Sequence, residues 1–196
     1  MFVQKAHGEL MITESDNMKF YIADMHLCHE NVIRYDSRPF KNIDQMNNEL
    51  VKRWNDTVAE NDEVYILGDF CWKKGRCTEF VSQLKGRKFL IRGNHDDIPE
   101  DAEPYFEWIK DYAVITDSGA QVVLSHYPVA HWINQFRGSV HLYGHVHNNK
   151  DYYAYVRYGK MCLSENIPFE SYNVGVMMYY MDYTPRTLDE IIFSSH

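Results

Sequence analysis

Hydrophobic residues in this chain occur in short runs that stop abruptly at polar residues. Runs of this length, rich in β-branched and aromatic side chains, are typical of buried strands. They predict five strands, at residues 19–23, 63–67, 88–91, 121–124 and 140–143. Each run is followed within a few positions by Asp, Asn or His, in several cases after a glycine. The pattern therefore predicts a set of strands whose carboxyl ends carry polar side chains.

The segment 43–59 has the period of an amphipathic helix. Its apolar residues recur every three or four positions, and Asn42 with Gln45 forms a capping-box pattern at its start. A shorter helix is expected to carry the apolar residues around 80–84. The first half of the chain thus alternates strand and helix, which is typical of an α/β fold.

Beyond Pro104 the sequence changes to strands joined by short connections. We expect further strands at 152–157 and 172–178, and a helical turn near 188–192. Such a sheet would continue with antiparallel or mixed strands. No repeat or low-complexity linker divides the 196 residues, so a single domain spanning 1–196 is expected.

The composition is that of a globular protein, with 45% hydrophobic residues. No signal peptide is recognisable near Met1, and no run of ~18 apolar residues indicates a membrane span, so we expect a soluble, cytoplasmic protein. Four cysteines lie at positions 28, 71, 77 and 162, with no Cys-x-x-Cys spacing. Free thiols in a reducing cytoplasm are therefore expected.

The net charge of −8 comes from 28 acidic and 20 basic residues. This sign disfavours general nucleic-acid binding and attachment to anionic membranes through bulk electrostatics. The ten histidines are unusual and direct attention to metal or proton chemistry.

Five polar motifs follow the five predicted strands. They are Asp24-x-His26, Gly68-Asp69, Gly93-Asn94-His95-Asp96, Ser125-His126 and Gly144-His145-x-His147. The carboxyl ends of strands in open α/β sheets are where binding sites assemble. Oxygen and imidazole donors without thiolates suit divalent manganese, iron, zinc or nickel. The number of donors exceeds what one open catalytic ion needs, which favours two metals.

Each motif alone also has a structural interpretation. A strand-terminal Asp commonly serves a turn, and each residue of Gly-Asn-His-Asp could do the same. Gly-His-x-His is more specific, because alternate residues of an extended segment face the same way. The occurrence of all five motifs, each at a strand end, favours a functional site.

The ordered set resembles the signature of the calcineurin-like metallophosphoesterase superfamily, which is D-x-H, G-D, G-N-H-[D/E], H and G-H-x-H. The match runs from Asp24 to His147. The stretches 26–40, 173–175 and 185–191 are similar to a small bacterial and phage branch of phosphoesterases. The resemblance implies a four-layer αββα sandwich with two mixed β-sheets and a dinuclear metal site between them.

The resemblance also implies seven metal ligands. Asp24, His26 and His147 are assigned to the first metal, Asn94, His126 and His145 to the second, and Asp69 bridges both. The implied cofactors are two divalent ions, with manganese preferred over iron, zinc or nickel. A hydroxide shared by the two ions would attack phosphorus.

His95 is assigned to catalysis on the leaving-group side, and Asp96 is expected to fix its tautomer and keep it cationic. Phosphate-binding roles are expected for His29, Arg34 and Arg38, since guanidinium matches phosphate oxygens in a bidentate fork. The alternative for these three is a solvated loop held by local hydrogen bonds.

Aromatic residues next to the motifs have two interpretations. Phe70, Trp72, Lys73 and Lys74 follow the bridging Asp69 and form either a substrate wall that stacks a base or ordinary packing. The residues expected to line the cleft beside His126 are Tyr127, His131 and Trp132. The histidines outside the motifs, expected to be structural, are His7, His141 and His196.

The sequence thus predicts a metal-dependent phosphoesterase acting on a small phosphate ester or nucleotide. Gly68-Asp69-Phe-Cys-Trp lacks the G-D-x-x-D-R-G arrangement of protein Ser/Thr phosphatases, which argues against that activity. The chain has no room for a large cap domain, so we expect an open cleft and favour phosphodiesters. The alternatives are a phosphomonoesterase or nucleotidase and, less favoured, a nuclease or a non-catalytic scaffold of the same fold.

Overall fold

Two mixed β-sheets form the centre of the structure, a computed structural model that describes residues 17–195. The strands of the first sheet are β1 (Lys19–Ile22), β2 (Glu63–Ile66), β3 (Arg87–Ile91), β4 (Phe106–Lys110) and β9 (Arg186–Thr187). Their order is β4-β3-β2-β1-β9, and all pairs are parallel except β1 with β9.

The second sheet contains β5 (Tyr112–Asp117), β6 (Ala120–Ser125), β7 (Val140–Tyr143) and β8 (Ser171–Asn173), in that order. β5 and β6 are antiparallel, whereas β6, β7 and β8 are parallel. The helices are α1 (Glu30–Tyr35), α2 (Ile43–Thr57), α3 (Cys77–Val81), α4 (Lys150–Ser164) and α5 (Leu188–Ser194).

Alternation of side chains along the first sheet builds two separate cores. Phe20 and Ile22 on β1 pack in one core with Met46, Leu50 and Trp54 of α2. The side chains of Tyr21 and Ala23 point the other way, into a second core. This core also contains Tyr65 and Leu67, together with Val122, Leu124, Val140 and Leu142 of the second sheet. The first sheet is therefore covered by helices on one face and by the second sheet on the other.

Helix α4 covers the outer face of the second sheet, where the sequence predicted a strand at 152–157. That prediction is wrong. The half-buried or buried residues of α4 follow helical spacing and are Tyr152, Tyr155, Val156, Tyr158, Gly159 and Cys162. The ring of Tyr155 packs 5.0 Å from Tyr143 of β7. Burial along one helical stripe thus outweighs the strand preference of the tyrosines.

Most of the other predicted elements are present in the structure. The five early strands and the helix at 43–59 have ends that differ by at most two residues. The shorter helix expected around 80–84 lies earlier, at Cys77–Val81, and the helical turn near 188–192 is part of α5. The predicted strand at 172–178 is confined to β8, and β4 and β5 were not located individually from the sequence. The predicted four-layer αββα arrangement with two mixed sheets is confirmed.

The remaining structural expectations concern cysteines and membrane segments. All four cysteines are buried free thiols. Among residues 17–195, no helix has the length and apolar character of a membrane span. His7 and His196 lie outside the described residues.

Candidate metal centre

The carboxyl ends of five strands meet at one place between the sheets. Short backbone hydrogen bonds tie the loops that leave these strands: Asp24 N donates to Gly68 O at 2.9 Å and His26 N to Asp69 O at 2.9 Å. Within the second sheet, Gly144 N donates to His126 O at 2.9 Å, and between the sheets His145 N donates to Oδ1 of Asp24 at 3.0 Å. All seven predicted ligand residues therefore lie in one cluster.

Four of these residues have left-handed backbone conformations. The φ angles are 55° at Asp24, 50° at His26, 54° at Asp69 and 67° at His145. This region is unfavourable for residues with a Cβ, and such strain concentrates at functional sites. The sharp turns direct each side chain back towards the centre of the cluster.

Two glycines allow the loops to approach closely. A Cβ added at Gly68, where φ is +90°, would lie 2.2 Å from Nδ1 of His126. A Cβ at Gly93 would lie 2.3 Å from Oδ1 of Asp69. Any larger residue would displace the side chains of the cluster, which explains glycine at both positions.

The first group of potential metal ligands comprises Asp24, His26 and His147. One ligand atom of each lies within 4.8 Å of the other two. Nε2 of His26 is 3.2 Å from Nε2 of His147, which lies 3.7 Å from Oδ1 of Asp24. Asp24 is fully buried, and its carboxylate also accepts from the backbone N of His145 at 3.0 Å.

The second group comprises Asp69, His126 and His145, with the same 4.8 Å limit. Oδ1 of Asn94 joins it at 3.0 Å from Nε2 of His126. Asp69 lies between the groups: its Oδ1 is 3.7 Å from Nε2 of His126, and its Oδ2 is 3.5 Å from Nε2 of His26. One carboxylate thus faces both groups, as the bridging assignment requires.

The hydrogen-bond partners of His126 show that this donor set fits a cation. Its Nδ1 donates to the carbonyl oxygen of Leu67 at 2.8 Å, and in the tautomer that this bond selects the lone pair is on Nε2. That lone pair faces Asn94 Oδ1 and Asp69 Oδ1, which only accept hydrogen bonds. Converging lone pairs repel one another unless a positive ion lies between them.

His147 is oriented by a carboxylate that the sequence analysis missed. Oδ1 of Asp36 accepts from Nδ1 of His147 at 2.7 Å, which leaves Nε2 to face the first group. Nε and Nη2 of Arg38 both donate to Oδ2 of Asp36, at 3.0 and 2.9 Å. No sequence signal distinguishes Asp36, because His147, the residue that it orients, lies 111 residues further along the chain.

The structure contradicts the phosphate-binding role expected for Arg38. Its side chain is buried, and Nη1 and Nη2 also donate to the carbonyl oxygens of Met25 and Asp24, each at 2.9 Å. Every guanidinium nitrogen is thus engaged within the protein. Arg38 supports the loop of Asp24 and the carboxylate of Asp36 and is not available to substrate.

His147 and His26 differ in their pKa values, although both lie in the first group of ligand residues. Burial alone lowers the pKa of both, and it lowers the pKa of His26 to about 3. For His147, hydrogen bonds to Asp24 and Asp36 outweigh burial and raise the pKa to about 9. For the carboxyl group of Asp24, burial acts in the opposite direction and alone would raise the pKa. The neighbouring histidines outweigh burial and lower this pKa overall. The carboxylate of Asp24 is therefore available as an anionic ligand.

His95 lies at the rim of the cluster, but Asp96 does not support it. The backbone N of His95 donates to Oδ1 of Asp69 at 3.0 Å, and its ring lies 5.8 Å from that of His26. Asp96 instead accepts from the backbone N of Asp69, Phe70 and Gly93 at 2.8–2.9 Å. The expected control of the His95 tautomer by Asp96 is thus wrong, since backbone amides occupy its carboxylate.

The other predicted substrate residues separate into two sets. His29 stacks on Trp72 beside the cluster, with ring centroids 3.9 Å apart. Arg34 is exposed and lies over the ring of Tyr35 at 5.3 Å. The structure places His29 at the candidate site, whereas Arg34 is absent from the residues that line the adjoining cavity.

Of the residues after His126 that were expected to line the cleft, some lie beside the candidate site and others do not. The ring of Tyr127 lies 4.4 Å from that of His145, as expected for a cleft residue. Trp132 is buried, donates to Ser139 O and stacks on His141, so it packs in the interior. His131 is exposed.

The comparison with protein families agrees with this geometry. A family model described as calcineurin-like phosphoesterase matches residues 20–158, which is more than half of the chain. The chain belongs to this family. Calcineurin-like phosphoesterases are metal-dependent, in agreement with the two groups of ligand residues.

Relatives of this calcineurin-like phosphoesterase come from archaea, phages and bacteria. An uncharacterized protein of Methanocaldococcus jannaschii, MJ1445, is 33% identical over 177 residues, 88% of each chain. The gene 66 protein of Mycobacterium phage L5 is 26% identical, covering 80% of this chain and 85% of its own. The structure of AQ665 from Aquifex aeolicus, a protein of unknown function, is similar with a TM-score of 0.68, 28% identity and coverage of 90% and 98%.

Proposed function

We propose that this protein is a dinuclear metal-dependent phosphoesterase that hydrolyses phosphodiesters. The observation that carries the proposal is the position of Asp69 between two groups of ligand residues, with one oxygen facing each group. A carboxylate in this position would be shared by two divalent ions, and a two-metal site suits phosphoryl transfer. Oxygen and imidazole donors favour manganese, with iron, zinc or nickel as alternatives.

Two divalent ions in this centre would supply Lewis-acid stabilisation of the phosphoryl oxygens and activation of water. The chain supplies the anionic and neutral donors that hold them. Asp24 and Asp69 contribute two negative charges against four positive charges of the ions, so the loaded centre attracts a phosphate despite the net charge of −8.

His95 is proposed to serve the leaving group. Its backbone is fixed to Asp69, its ring lies beside His26, and its side chain is exposed to the cleft. From this position it can donate a hydrogen bond or a proton to the departing oxygen. Loss of a general acid typically lowers turnover by 10²–10⁴-fold.

Two cavities flank the centre, and this favours diesters over monoesters. One, of about 470 Å³, is lined by His26, His95 and His147 together with aromatic residues. The other, of about 430 Å³, adjoins Asn94 and His126 and contains Arg92 and Tyr127. A phosphodiester has two substituents, one for each cavity, whereas a monoester would leave one of them empty.

The test compares bis-p-nitrophenyl phosphate with p-nitrophenyl phosphate on manganese-loaded protein. We expect higher kcat/KM for the diester and about two ions per chain by elemental analysis. A higher value for the monoester would favour the phosphomonoesterase alternative, and absence of bound metal after reconstitution would overturn the dinuclear proposal.

The His95→Ala variant tests the leaving-group role. It should retain both metals and lose roughly 10²–10⁴-fold in kcat. The exposed His131 provides a matched control, because His131→Ala removes an imidazole away from the ligand groups. Equal turnover of both variants and the parent protein would contradict the role of His95.

A further inference from the structure

A cluster of three aromatic side chains, Trp72, His29 and Tyr35, lies beside the candidate metal centre. None of the three belongs to either group of ligand residues. Trp72 and His29 stack with a centroid distance of 3.9 Å and an interplanar angle of 7°, and the ring of Tyr35 lies 6.3 Å from His29. Trp72 is 42% exposed and Tyr35 64% exposed. Large aromatic surface held open beside a reactive centre is characteristic of a ligand subsite.

The cluster is fixed in position relative to the ligands. The backbone N of Trp72 donates to Leu27 O at 2.9 Å, directly after His26. The ring of Trp72 lies 4.7 Å from His95, and that of His29 lies 5.4 Å from His26. A group bound on this cluster would therefore be adjacent to His26 and His95 of the candidate centre.

The same cavity is lined by amide and imidazole side chains in addition to the carboxylate of Asp69. Asn31 and Asn149 line it, and Asn149 accepts from the backbone N of Asp151 through Oδ1. This leaves the amide NH₂ of Asn149 with no hydrogen-bond partner in the part of the chain that the structure describes. No Lys or Arg is among the described residues lining the cavity, so an anionic substituent finds no ion pair with its walls.

We propose that this cavity binds a nucleobase, so that the substrates of the enzyme are nucleotide phosphodiesters. This rests on the proposed function and names its substrate class. A base is planar, neutral and bordered by hydrogen-bonding groups, which matches aromatic walls combined with amide side chains. The net charge of −8 disfavours long nucleic acids, so the nucleotide is a small one.

The decisive measurement compares AMP with ribose 5-phosphate as inhibitors of bis-p-nitrophenyl phosphate hydrolysis. Both present the same phosphate, and only AMP has a base. Stacking of one base is worth about 1–3 kcal/mol, so AMP should inhibit at roughly 5- to 150-fold lower concentration. Equal inhibition constants would overturn the nucleobase proposal, while continued diester hydrolysis would leave the phosphodiesterase proposal intact.

Replacement of the stacking ring locates the subsite. Trp72→Leu should reduce the AMP preference to near unity and leave the metal content unchanged. Tyr105, equally exposed at 42% but outside the residues lining this cavity, gives the control Tyr105→Leu, which should keep the preference. Retention of the preference in Trp72→Leu would contradict the assignment. If that variant does not fold, Tyr35→Leu tests the same wall and should weaken the preference.

Tryptophan fluorescence provides a readout independent of turnover. Of the other three tryptophans, Trp54 is fully buried, Trp132 is 8% exposed, and Trp108 packs against Tyr65 and Phe89 outside this cavity. Stacking in the cavity therefore affects Trp72 most directly. AMP should quench the emission of the metal-loaded protein, and ribose 5-phosphate should not. The quenching should disappear in Trp72→Leu, and its persistence there would place the base elsewhere.

Discussion

Two buried histidines of the second sheet differ in what surrounds their nitrogens. His141, within β7, has a serine hydroxyl on each side: Ser125 Oγ at 2.8 Å from Nε2 and Ser171 Oγ at 2.9 Å from Nδ1. His126, directly after β6, has Leu67 O on one side and the acceptor oxygen of Asn94 on the other. A hydroxyl can either donate or accept, so His141 is satisfied, whereas Nε2 of His126 faces acceptors only. Both histidines are buried, so burial does not distinguish the candidate metal ligand. What distinguishes His126 is that no hydrogen-bond donor among the described residues faces its Nε2.

The largest effect is expected from removing the carboxylate shared by both groups. Asp69→Asn keeps the shape but loses the charge that binds two ions, so metal content should fall below two per chain. Turnover should fall by more than the ~100-fold typical of losing an outer-shell partner. Elemental analysis and diester kinetics measure both. Asp97→Asn, at an exposed site paired with Lys74, is the control. Two retained ions with normal turnover would refute the bridging role.

A smaller effect is expected from Asp36, which supports a ligand without facing the centre. Asp36→Asn removes the anion that accepts from His147 Nδ1 and pairs with Arg38. Affinity for one of the two ions should weaken by roughly 10–100-fold. A manganese titration by calorimetry should then resolve one weak and one nearly unchanged site. The exposed Asp44→Asn should leave both unchanged. Equal weakening of both sites would indicate general damage to the loop.

Replacement of His141, whose two ring nitrogens both have hydrogen-bond partners, should lower stability and leave metal binding unchanged. His141→Phe keeps a ring between Trp132 and Tyr143 but leaves two serines without this partner. The free energy of unfolding should fall by about 1–3 kcal/mol. Urea unfolding measures this, with exposed His131→Phe as control. A loss of bound metal in His141→Phe would remove the distinction between the two histidines.

The smallest expected effect is the pH dependence of the stability that His141 contributes. Burial lowers the pKa of His141 to about 3, from 6.5 in the unfolded chain. The unfolded state therefore binds a proton below pH 6.5 that the folded state does not bind until about pH 3. Stability from the neutral ring is present above pH 6.5 and is lost as the pH falls towards 3, by at most about 1.4 kcal/mol per pH unit. The difference in unfolding free energy between the parent protein and His141→Phe should narrow from pH 7 to 5.5. A constant difference would contradict the low pKa.

Much of the centre was predictable, because its ligands follow strand ends that the hydrophobic pattern locates. Asp24, Asp69 and His145 each come immediately after a run that forms a strand, and parallel strands bring such ends together. Asp96 and Arg38 were placed in the site but given wrong roles. Asp96 accepts from the backbone amides of Asp69 and Phe70, and Arg38 donates to the carbonyl oxygen of Asp24. These partners lie on other loops and are not distinguishable in a linear pattern.

The sequence by itself determined the α/β character of the fold and the set of residues that follow the strand ends, whereas the two-sheet arrangement was implied by the family resemblance. It did so because strand burial and strand termination are local properties of the chain. Only the tertiary structure decided that 150–164 is a helix, that Asp36 orients His147, and which histidine nitrogens lack a donor. Each of these depends on atoms brought together from distant positions, where packing and hydrogen bonding outweigh local preference.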